Sequence, residues 1–210
     1  MLKESLYHSD WQNKRINFIL SQYPKEFFVG KKILELGAFN GYIGAYFQSI
    51  GADVYSIEGR PENVKNIKMR YPELKSDCAD LDSPEWEWGY YDIIINFGLY
   101  YHLEKFHKEH LINCINNCDL MFFETVVYDS PNSELYFRNE PNGKFLDQSL
   151  SEVGGTPSTK FIEDLFDDSN CSYKKCISSE LNSELHTYNW DASGVQYYNE
   201  YYRRFWIVNR

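Results

Sequence analysis

The order of hydrophobic and polar positions predicts helices and strands in regular alternation along the first half of the chain. Residues 8–23 carry apolar side chains at roughly helical spacing and predict an amphipathic helix. Residues 31–36, whose centre is apolar, predict a short strand that ends before a glycine. Residues 42–50 then show a helical period. Residues 52–59 predict a second strand, and residues 61–71 predict a helix with proline in its first turn.

The same alternation continues through the second half of the chain. A weaker strand is predicted near residues 74–78, strongly apolar strands at 91–98 and 119–129, and a helix at 103–117. A further helix is predicted over residues 161–168. Strands that alternate with helices at this spacing indicate an α/β fold, in which a mostly parallel sheet is covered on both faces.

Two segments depart from the alternation. Residues 130–157 are polar and rich in Asn, Gly, Ser and Pro, and they predict a long loop or a small insertion. Near the end of the chain, residues 173–178 and 205–208 have the composition of strands and predict an antiparallel hairpin. The second pattern adds an antiparallel element to an otherwise parallel sheet.

The composition fits one domain with a sizeable core. Of the 210 residues 43% are hydrophobic and 18% are aromatic, which disfavours a disordered chain. The formal net charge of -10 repels phosphate backbones and disfavours nucleic acid as a partner, so a small-molecule or glycan substrate is expected. A local basic patch around Arg203, Arg204 and Arg210 stays open.

Cysteine and histidine positions do not predict a metal site. The five cysteines lack the paired short spacings of zinc sites, and we expect buried free thiols in a reducing cytoplasm. His107 and His110 share a helix face without a third ligand, and we expect them to be solvated. The N-terminal residues lack the apolar segment of a signal peptide, and no apolar run reaches membrane-spanning length. The expected location is therefore cytoplasmic, without membrane association.

The most informative motif is Glu35–Gly41, which lies between a predicted strand and a predicted helix. Gly37 and Gly41 permit a sharp turn and a close approach of the backbone to a ligand. Dinucleotide-binding loops have glycine at the position of Phe39, where the backbone reaches the pyrophosphate, so the bulky ring disfavours NAD. The acidic Glu35 suits a ligand that carries ammonium and sulfonium charges.

Acidic residues end the next two predicted strands. Glu58 ends the second strand, where a carboxylate can accept two hydrogen bonds from a ribose diol; a solvated strand-end acid is the alternative. Asp77 and Cys78 end the third strand, where a carboxylate and a backbone amide can contact an adenine ring. Asp80 competes for this role.

These motifs, ELGAFNG, SIEG, SDCADL and YDIIINFG, occur in an order that resembles the class I S-adenosylmethionine-dependent methyltransferases over residues 31–127. The resemblance implies an enzyme that uses S-adenosylmethionine as its cofactor and transfers the methyl group. It implies a Rossmann-like, mostly parallel seven-stranded sheet with helices on both faces and a C-terminal antiparallel hairpin. The expected organisation is a single methyltransferase domain over residues 1–210, with residues 1–29 as an N-terminal helical cap.

A narrower similarity lies in the segments NFGLYYHLEKF, FFETVVYDS, GTPS and YYRRFWIV. They resemble a branch that includes the tRNA wobble-uridine oxyacetate-forming enzyme and many small methyltransferases of unassigned substrate. The chain departs from this branch by reading Tyr100-Tyr101-His102 and by lacking the basic character expected for tRNA.

Class I members place cofactor contacts on the residues that match these motifs. Leu99 to His102 are expected at the mouth of the site, where ligands bind open α/β sheets. The expected cofactor contacts are Glu35, Gly37, Phe39 and Gly41 at the methionine end, Glu58 at the ribose, Asp77 and Cys78 at the adenine, and Asn96 and Gly98 on the sulfonium side.

Three residues are candidates for the chemistry itself. His102 is the candidate general base for methylation of an oxygen, because imidazole changes protonation near physiological pH; a structural histidine at a helix start is the alternative. Tyr101 is expected to shape the site or to hydrogen-bond the substrate. Glu124 is expected to orient the substrate or to cap a loop.

Residues 130–157 and 8–23 are expected to form a lid or wall over the substrate, because the strand before residue 130 ends on the ligand side of the sheet. Arg138 and Lys144 in this segment favour a carboxylate, phosphate or sugar-nucleotide group. The predicted function is O-methylation of a small molecule or sugar-type substrate. Two alternatives stay open: an RNA-modifying methyltransferase of the wobble-uridine type, and a non-catalytic S-adenosylmethionine-binding protein.

Overall fold

Strands and helices alternate along the structure, a computed structural model that describes residues 6–128, 130–140, 148–190 and 202–210. The strands are β1 (Lys32–Leu36), β2 (Asp53–Glu58), β3 (Lys75–Cys78), β4 (Tyr91–Phe97), β5 (Cys118–Val126), β6 (Leu135–Asn139), β7 (Val153–Pro157), β8 (Ser172–Cys176) and β9 (Arg203–Asn209). The α-helices are α1 (Leu6–Gln22), α2 (Tyr42–Ser49), α3 (Pro61–Arg70), α4 (His107–Asn116) and α5 (Thr159–Asp168), and short 3₁₀ turns lie at Lys25–Phe28, Tyr100–His102 and Ser179–Leu181.

Seven strands form one sheet in the order β3-β2-β1-β4-β5-β9-β8. The strands from β1 to β5 pair in parallel, whereas β9 is antiparallel to both β5 and β8. The predicted Rossmann-like sheet and its C-terminal antiparallel pair are therefore confirmed. The strand order reverses between β1 and β4, and ligands bind at the carboxyl ends of the strands at such a switch point.

Both faces of the sheet are buried, which explains the nearly continuous apolar runs of its strands. Ile33 and Ile93 face a core that also includes side chains of α1, α2 and α3. Their chain neighbours Leu34 and Ile94 face the opposite core, which includes side chains of α4 and α5. Since successive side chains of a strand point to opposite faces, apolar residues are needed at every position of the central strands.

Helix α4 begins later than residues 103–117 predict. The carboxylate of Asp82 accepts hydrogen bonds from the backbone N–H groups of Glu104, Lys105 and Phe106, at 2.9–3.1 Å. An acceptor at this position satisfies the N–H groups that precede the first helical turn. The helix consequently starts at His107.

The segment 130–157, for which a long loop or a small insertion is predicted, is not a loop throughout its described part. It contains β6 and β7, which form a separate two-stranded antiparallel sheet. Gly154 and Gly155 let β7 pack closely on its neighbours: a Cβ on Gly155 would lie 2.4 Å from the ring of His107. The Gly155 N–H donates to the carbonyl oxygen of Leu103 at 2.8 Å, which ties this sheet to the chain after β4.

No helix in the described ranges is long and apolar enough to cross a lipid bilayer.

Candidate functional site

A cavity of about 750 Å³ opens at the carboxyl ends of β1, β2 and β4. Its wall includes Gly37 after β1, Glu58 at the end of β2, and Gly98 after β4. This volume lies in the range of sites that bind small molecules and cofactors. The position matches the ligand site expected at the switch point of the sheet.

The turn after β1 holds its shape through the backbone. The N–H groups of Gly37 and Ala38 both donate to the carbonyl oxygen of Ile57 in β2, at 2.9 and 3.1 Å. Gly37 has a φ of 72°, and a Cβ on it would lie 2.9 Å from the Cβ of Leu99. A side chain at Gly37 therefore strains the turn and displaces a residue of the cavity wall.

Glu58 joins this turn to the start of α3. Its Oε2 accepts from the backbone N–H of Phe39 at 2.8 Å, and its Oε1 accepts from Arg60 N–H at 3.0 Å and Asn63 Nδ2 at 3.3 Å. Burial raises the pKa of Glu58, and these hydrogen bonds oppose the rise. A carboxylate has about four lone-pair sites, so Oε2 retains one acceptor site at the cavity wall.

Glu35 lies beneath the cavity and is not among the residues that line it. Its Oε2 accepts from the Ser56 hydroxyl at 2.6 Å, and a Cβ on Gly44 would lie only 2.4 Å from the same oxygen. Burial raises the pKa of Glu35 to about 7, more than the hydrogen bonds from Ser56 and Gly44 lower it. The structure thus gives Glu35 protein partners beneath the cavity.

The raised pKa of Glu35 predicts a specific dependence of stability on pH. The folded protein keeps this carboxyl protonated up to about pH 7, whereas the unfolded chain ionises near the ordinary value of 4.5. Stability contributed by this group is therefore present below pH 4.5 and is lost as pH rises through 7. Each pKa unit corresponds to about 1.4 kcal/mol, so the stability of Glu35→Gln relative to the parent should rise by about 3–4 kcal/mol between these limits.

Urea unfolding of the parent and of Glu35→Gln at several pH values measures this difference. The comparison is needed because burial lowers the pKa of His110 from 6.5 to about 4, which makes stability rise with pH over part of the same range. Glu26 is exposed, so Glu26→Gln serves as the matched control. A constant difference between parent and Glu35→Gln across the range would show that Glu35 is ionised in the folded protein.

The other predicted cofactor residues divide into those at the cavity and those away from it. Phe39 and Gly98 line it, whereas Gly41, Asn96 and the pair Asp77-Cys78 do not. Asp77 is exposed and accepts from the Tyr55 hydroxyl at 2.8 Å on the outer side of the sheet edge.

Asp80 competed with Asp77 in the sequence analysis, and the structure separates the two. Asp80 lines the cavity, together with the following Leu81. It also accepts from the backbone N–H of Asp82 at 2.9 Å, which fixes the loop after β3. The geometry thus favours Asp80 over Asp77 at the end of the cavity beyond Glu58.

Asn96, His107 and His110 are buried below the cavity floor. Asn96 Nδ2 lies 2.8 Å from Nε2 of His110, and Nδ1 of His110 lies 3.1 Å from the Leu81 carbonyl oxygen. His107 Nε2 lies 3.0 Å from the carbonyl oxygen of Gly155. The expectation that His107 and His110 are solvated was wrong, because the β6–β7 sheet and the loop after β3 cover that face of α4.

His102 and Tyr101 also line the cavity, in the 3₁₀ turn after β4. Nδ1 of His102 lies 2.5 Å from Oε2 of Glu140, a residue that the sequence analysis did not single out. Glu140 also accepts from Arg138 Nη2 at 2.7 Å and from Ser149 N–H at 2.9 Å. Burial opposes the charge on Glu140, but these partners hold its pKa below the usual range.

Glu124 lies behind the cavity wall and is fully buried. Its Oε2 forms an ion pair with Arg15 Nη2 at 2.6 Å, and its Oε1 accepts from Arg203 Nη1 at 3.1 Å. The Tyr188 hydroxyl also donates to Oε1 at 3.1 Å. Arg15 and Arg203 line the cavity, so Glu124 positions two arginines at the wall and is not itself part of the lining.

The basic patch left open around Arg203, Arg204 and Arg210 does not form as a surface feature. Arg203 and Arg204 are buried, and only Arg210 is exposed. Arg204 stacks on Trp190, with its guanidinium carbon 3.4 Å from the ring centroid.

Two segments predicted to cover the substrate contribute to the wall. Trp11 and Arg15 of α1 line the cavity, as do Arg138 and residues 148–151. Arg60 Nη2 donates to the carbonyl oxygens of Gln148 and Ser149, which fixes this segment against the start of α3. Lys144, predicted to contact a substrate, lies outside the described residues.

Metal-ligating side chains are dispersed in the parts of the chain that the structure describes. No three His, Cys, Asp or Glu side chains there come together in a way that could hold a metal ion. Of the five cysteines, Cys114, Cys118 and Cys176 are buried, whereas Cys78 is exposed and Cys171 is partly exposed.

Solved structures with the same fold cover nearly the whole chain. The N-terminal domain of EvdMO1 with SAH bound is 15% identical, with a TM-score of 0.68 over 96% of this chain and 81% of that one. An S-adenosylmethionine-dependent methyltransferase from Mesorhizobium loti is 12% identical, with a TM-score of 0.63 over 94% of this chain and 98% of that one. Magnesium protoporphyrin IX methyltransferase from Synechocystis PCC 6803, with bound SAM, is 12% identical, with a TM-score of 0.61 over 97% and 79%.

At these identities the likeness shows the fold. No protein-family profile matches the chain, and no curated protein matches its sequence.

Proposed function

We propose that this chain, which has the fold of class I S-adenosylmethionine-dependent methyltransferases, binds S-adenosylmethionine and transfers its methyl group to an oxygen of a small molecule. One observation carries the proposal. One cavity is lined both by the glycine turn with Glu58 and by His102, which Glu140 holds. The glycine turn and Glu58 suit a nucleoside, and the pair of His102 and Glu140 suits a hydroxyl group that must lose a proton.

The cofactor end fits S-adenosylmethionine on three counts. The volume of about 750 Å³ exceeds what a nucleoside alone fills, and it leaves room for an acceptor beside it. The positive φ of Gly37 keeps the turn free of a side chain at the wall. The remaining acceptor site on Glu58 Oε2 is available to a ribose hydroxyl, and Asp80 replaces Asp77 as the proposed partner of the adenine amino group.

The bound cofactor supplies an electrophilic methyl group, so the protein has to orient the acceptor and remove its proton. Nδ1 of His102 lies 2.5 Å from Oε2 of Glu140, and with Nδ1–H donating to this carboxylate, Nε2 is the ring nitrogen that faces a hydroxyl as its proton acceptor. His102 is the proposed general base for a hydroxyl, and such a base typically contributes about 10²–10⁴-fold to the rate. Tyr101 and Gly98, which also line the cavity, are proposed to bound the space between the acceptor and the cofactor.

A sugar-type acceptor is supported by one of the similar proteins. A second structure of the EvdMO1 domain was determined in the presence of SAH and D-fucose. A sugar offers hydroxyl groups that need deprotonation, which agrees with the proposed role of His102. The magnesium protoporphyrin IX methyltransferase shows that other acceptors occur on the same fold.

Two alternatives are less well supported. An RNA substrate requires a basic surface, but the net charge is -10 and Arg203 and Arg204 are buried. A non-catalytic binding protein does not require a buried carboxylate that holds a histidine at the cavity wall, which the pair of Glu140 and His102 provides.

We expect methyl transfer to small molecules and not to RNA. The protein is incubated with S-adenosylmethionine carrying an isotopic methyl label and with one of two cell fractions, either metabolites that pass a small-pore filter or purified total RNA. The label should appear in the metabolite fraction as a methyl ether or ester. Label in RNA would support the wobble-uridine alternative, and binding without transfer in either fraction would support the non-catalytic one.

A further inference from the structure

We propose that the methyl acceptor carries a carboxylate, and that Arg203 binds it at the wall of the cavity. The proposal rests on the proposed function for the identity of the acceptor, but the anion-binding site itself is argued from the charges of the described residues. The site differs from Arg138 and Lys144, which the sequence analysis considered, because it lies on β9 and α1.

Arg203 lines the cavity wall and has guanidinium N–H groups that its protein partners do not use. It is 6% exposed. Nη1 donates to Glu124 Oε1 at 3.1 Å, and Nη2 donates to the Tyr101 hydroxyl at 3.2 Å. Nε is buried and has no hydrogen-bond partner among the described residues. A guanidinium has five N–H groups, so Nη1 and Nη2 each keep one that a carboxylate at the wall would accept.

The charges around Arg203 do not balance. Arg15 and Arg203 share one carboxylate, that of Glu124, and the third group in the cluster is the neutral hydroxyl of Tyr188, whose pKa burial raises. One positive charge is therefore left uncompensated among the described residues of this cluster. A single excess charge suits a monoanion such as a carboxylate, whereas a phosphate dianion would need a second one.

The other cations of the wall have partners of their own. Arg138 is paired with Glu140, Lys105 is paired with Glu104, and Arg60 donates to the carbonyl oxygens of Gln148 and Ser149. The wall also includes the carboxylates of Glu58, Asp80 and Asp82. An anionic acceptor would thus be attracted toward Arg15 and Arg203 and repelled from these carboxylates.

Aromatic rings lie beside both arginines at the cavity wall. The guanidinium carbon of Arg203 is 5.1 Å from the centroid of the Tyr101 ring, and the centroid of the His102 ring is 3.9 Å from the same point. Trp11 lies against Arg15, whose guanidinium carbon is 4.1 Å from its ring centroid. An acceptor with its carboxylate at Arg203 and a hydroxyl at His102 would therefore lie against the Tyr101 ring.

Calorimetric titration with benzoate and with the neutral benzamide tests the anion site on the whole chain, with and without saturating SAH. Benzoate should bind in the millimolar range and at least about tenfold more tightly than benzamide, because one charge-assisted hydrogen bond and the excess charge act only on the anion. Equal binding of the two compounds, or no binding of either, would overturn the proposal.

Variants assign the site to Arg203. Arg203→Gln should reduce benzoate affinity about tenfold or more, whereas Arg204→Gln should leave it within about twofold. Arg204 is the matched control because it is the next residue, is equally buried, and is not part of the lining. Circular dichroism checks that each variant is folded, and the comparison of benzoate with benzamide on the parent needs no variant. Arg203→Gln with undiminished benzoate binding would also overturn the assignment.

The two proposals fail separately in this experiment. Preferential benzoate binding without any SAH binding would leave the anion site in place and reject the methyltransferase function. SAH binding without preference for benzoate would leave the proposed function in place and reject the anionic acceptor.

Discussion

Replacing Glu124 with glutamine is expected to lower the free energy of unfolding by about 3–5 kcal/mol. Glu124 is fully buried and is the carboxylate that Arg15 and Arg203 share, at 2.6 and 3.1 Å. Glutamine keeps the shape of the side chain but removes its charge, so two buried guanidinium groups lose their counter-ion. Desolvation of an unpaired charge costs more than the loss of an ordinary hydrogen bond.

Urea denaturation followed by circular dichroism measures this loss. Glu73 is exposed, and Glu73→Gln is the matched control, expected to change stability by no more than about 0.5 kcal/mol. A comparably small effect of Glu124→Gln would mean that the arginines do not depend on this carboxylate. It would also remove the charge argument for an anionic acceptor, because that argument counts Glu124 as ionised.

Removal of the proposed base should have the largest effect on turnover. His102→Gln is expected to lower the rate of methyl transfer by about 10²–10⁴-fold, because it removes the imidazole that Glu140 holds at the cavity wall. Glu140→Gln should lower it in the same direction by a smaller factor, since His102 remains but its orientation is no longer fixed.

The rate of SAH formation with the methylated metabolite measures turnover, and calorimetry with SAH measures cofactor binding. Both variants should retain SAH affinity, because neither His102 nor Glu140 hydrogen-bonds Glu58 or the glycine turn. Glu109 is exposed on α4, and Glu109→Gln is the control for turnover. Equal losses of turnover and of SAH affinity would indicate a general disturbance of the cavity, and full activity of His102→Gln would exclude it as a base.

Local sequence patterns predicted the parallel sheet and the glycine turn after β1 that lines the cavity. β1, β2, β4 and β5 are buried on both faces, so their apolar runs are visible in the sequence without any knowledge of their partners. Gly37 and Glu58 were recognised for the same reason: each directly follows or ends such a run. The structure adds that the Phe39 N–H donates to Glu58 and that the two features are one unit.

Contacts between distant parts of the chain were not predictable from local patterns. His102 and Glu140 are 38 residues apart, and Glu140 belongs to a segment whose polar and glycine-rich composition suggests a loop. The strands β6 and β7 show no apolar alternation in the sequence. In β7, Gly154 and Gly155 allow close packing of the backbone and bury no side chain of their own. Arg203 was considered as part of a basic surface patch, because no residue near it in the sequence indicates that it pairs with the buried Glu124 on β5.

Calorimetric titration of the parent protein with SAH tests the central claim most directly. We expect one site per chain with a dissociation constant in the micromolar range, and no measurable binding of NAD. Glu58→Gln should weaken SAH binding by about tenfold or more, since hydrogen bonds to a charged group contribute about 1.5–3 kcal/mol. Glu62→Gln, an exposed acid in the first turn of α3, should leave it unchanged. Tight binding of NAD with no response to SAH or S-adenosylmethionine at millimolar concentration would contradict the account.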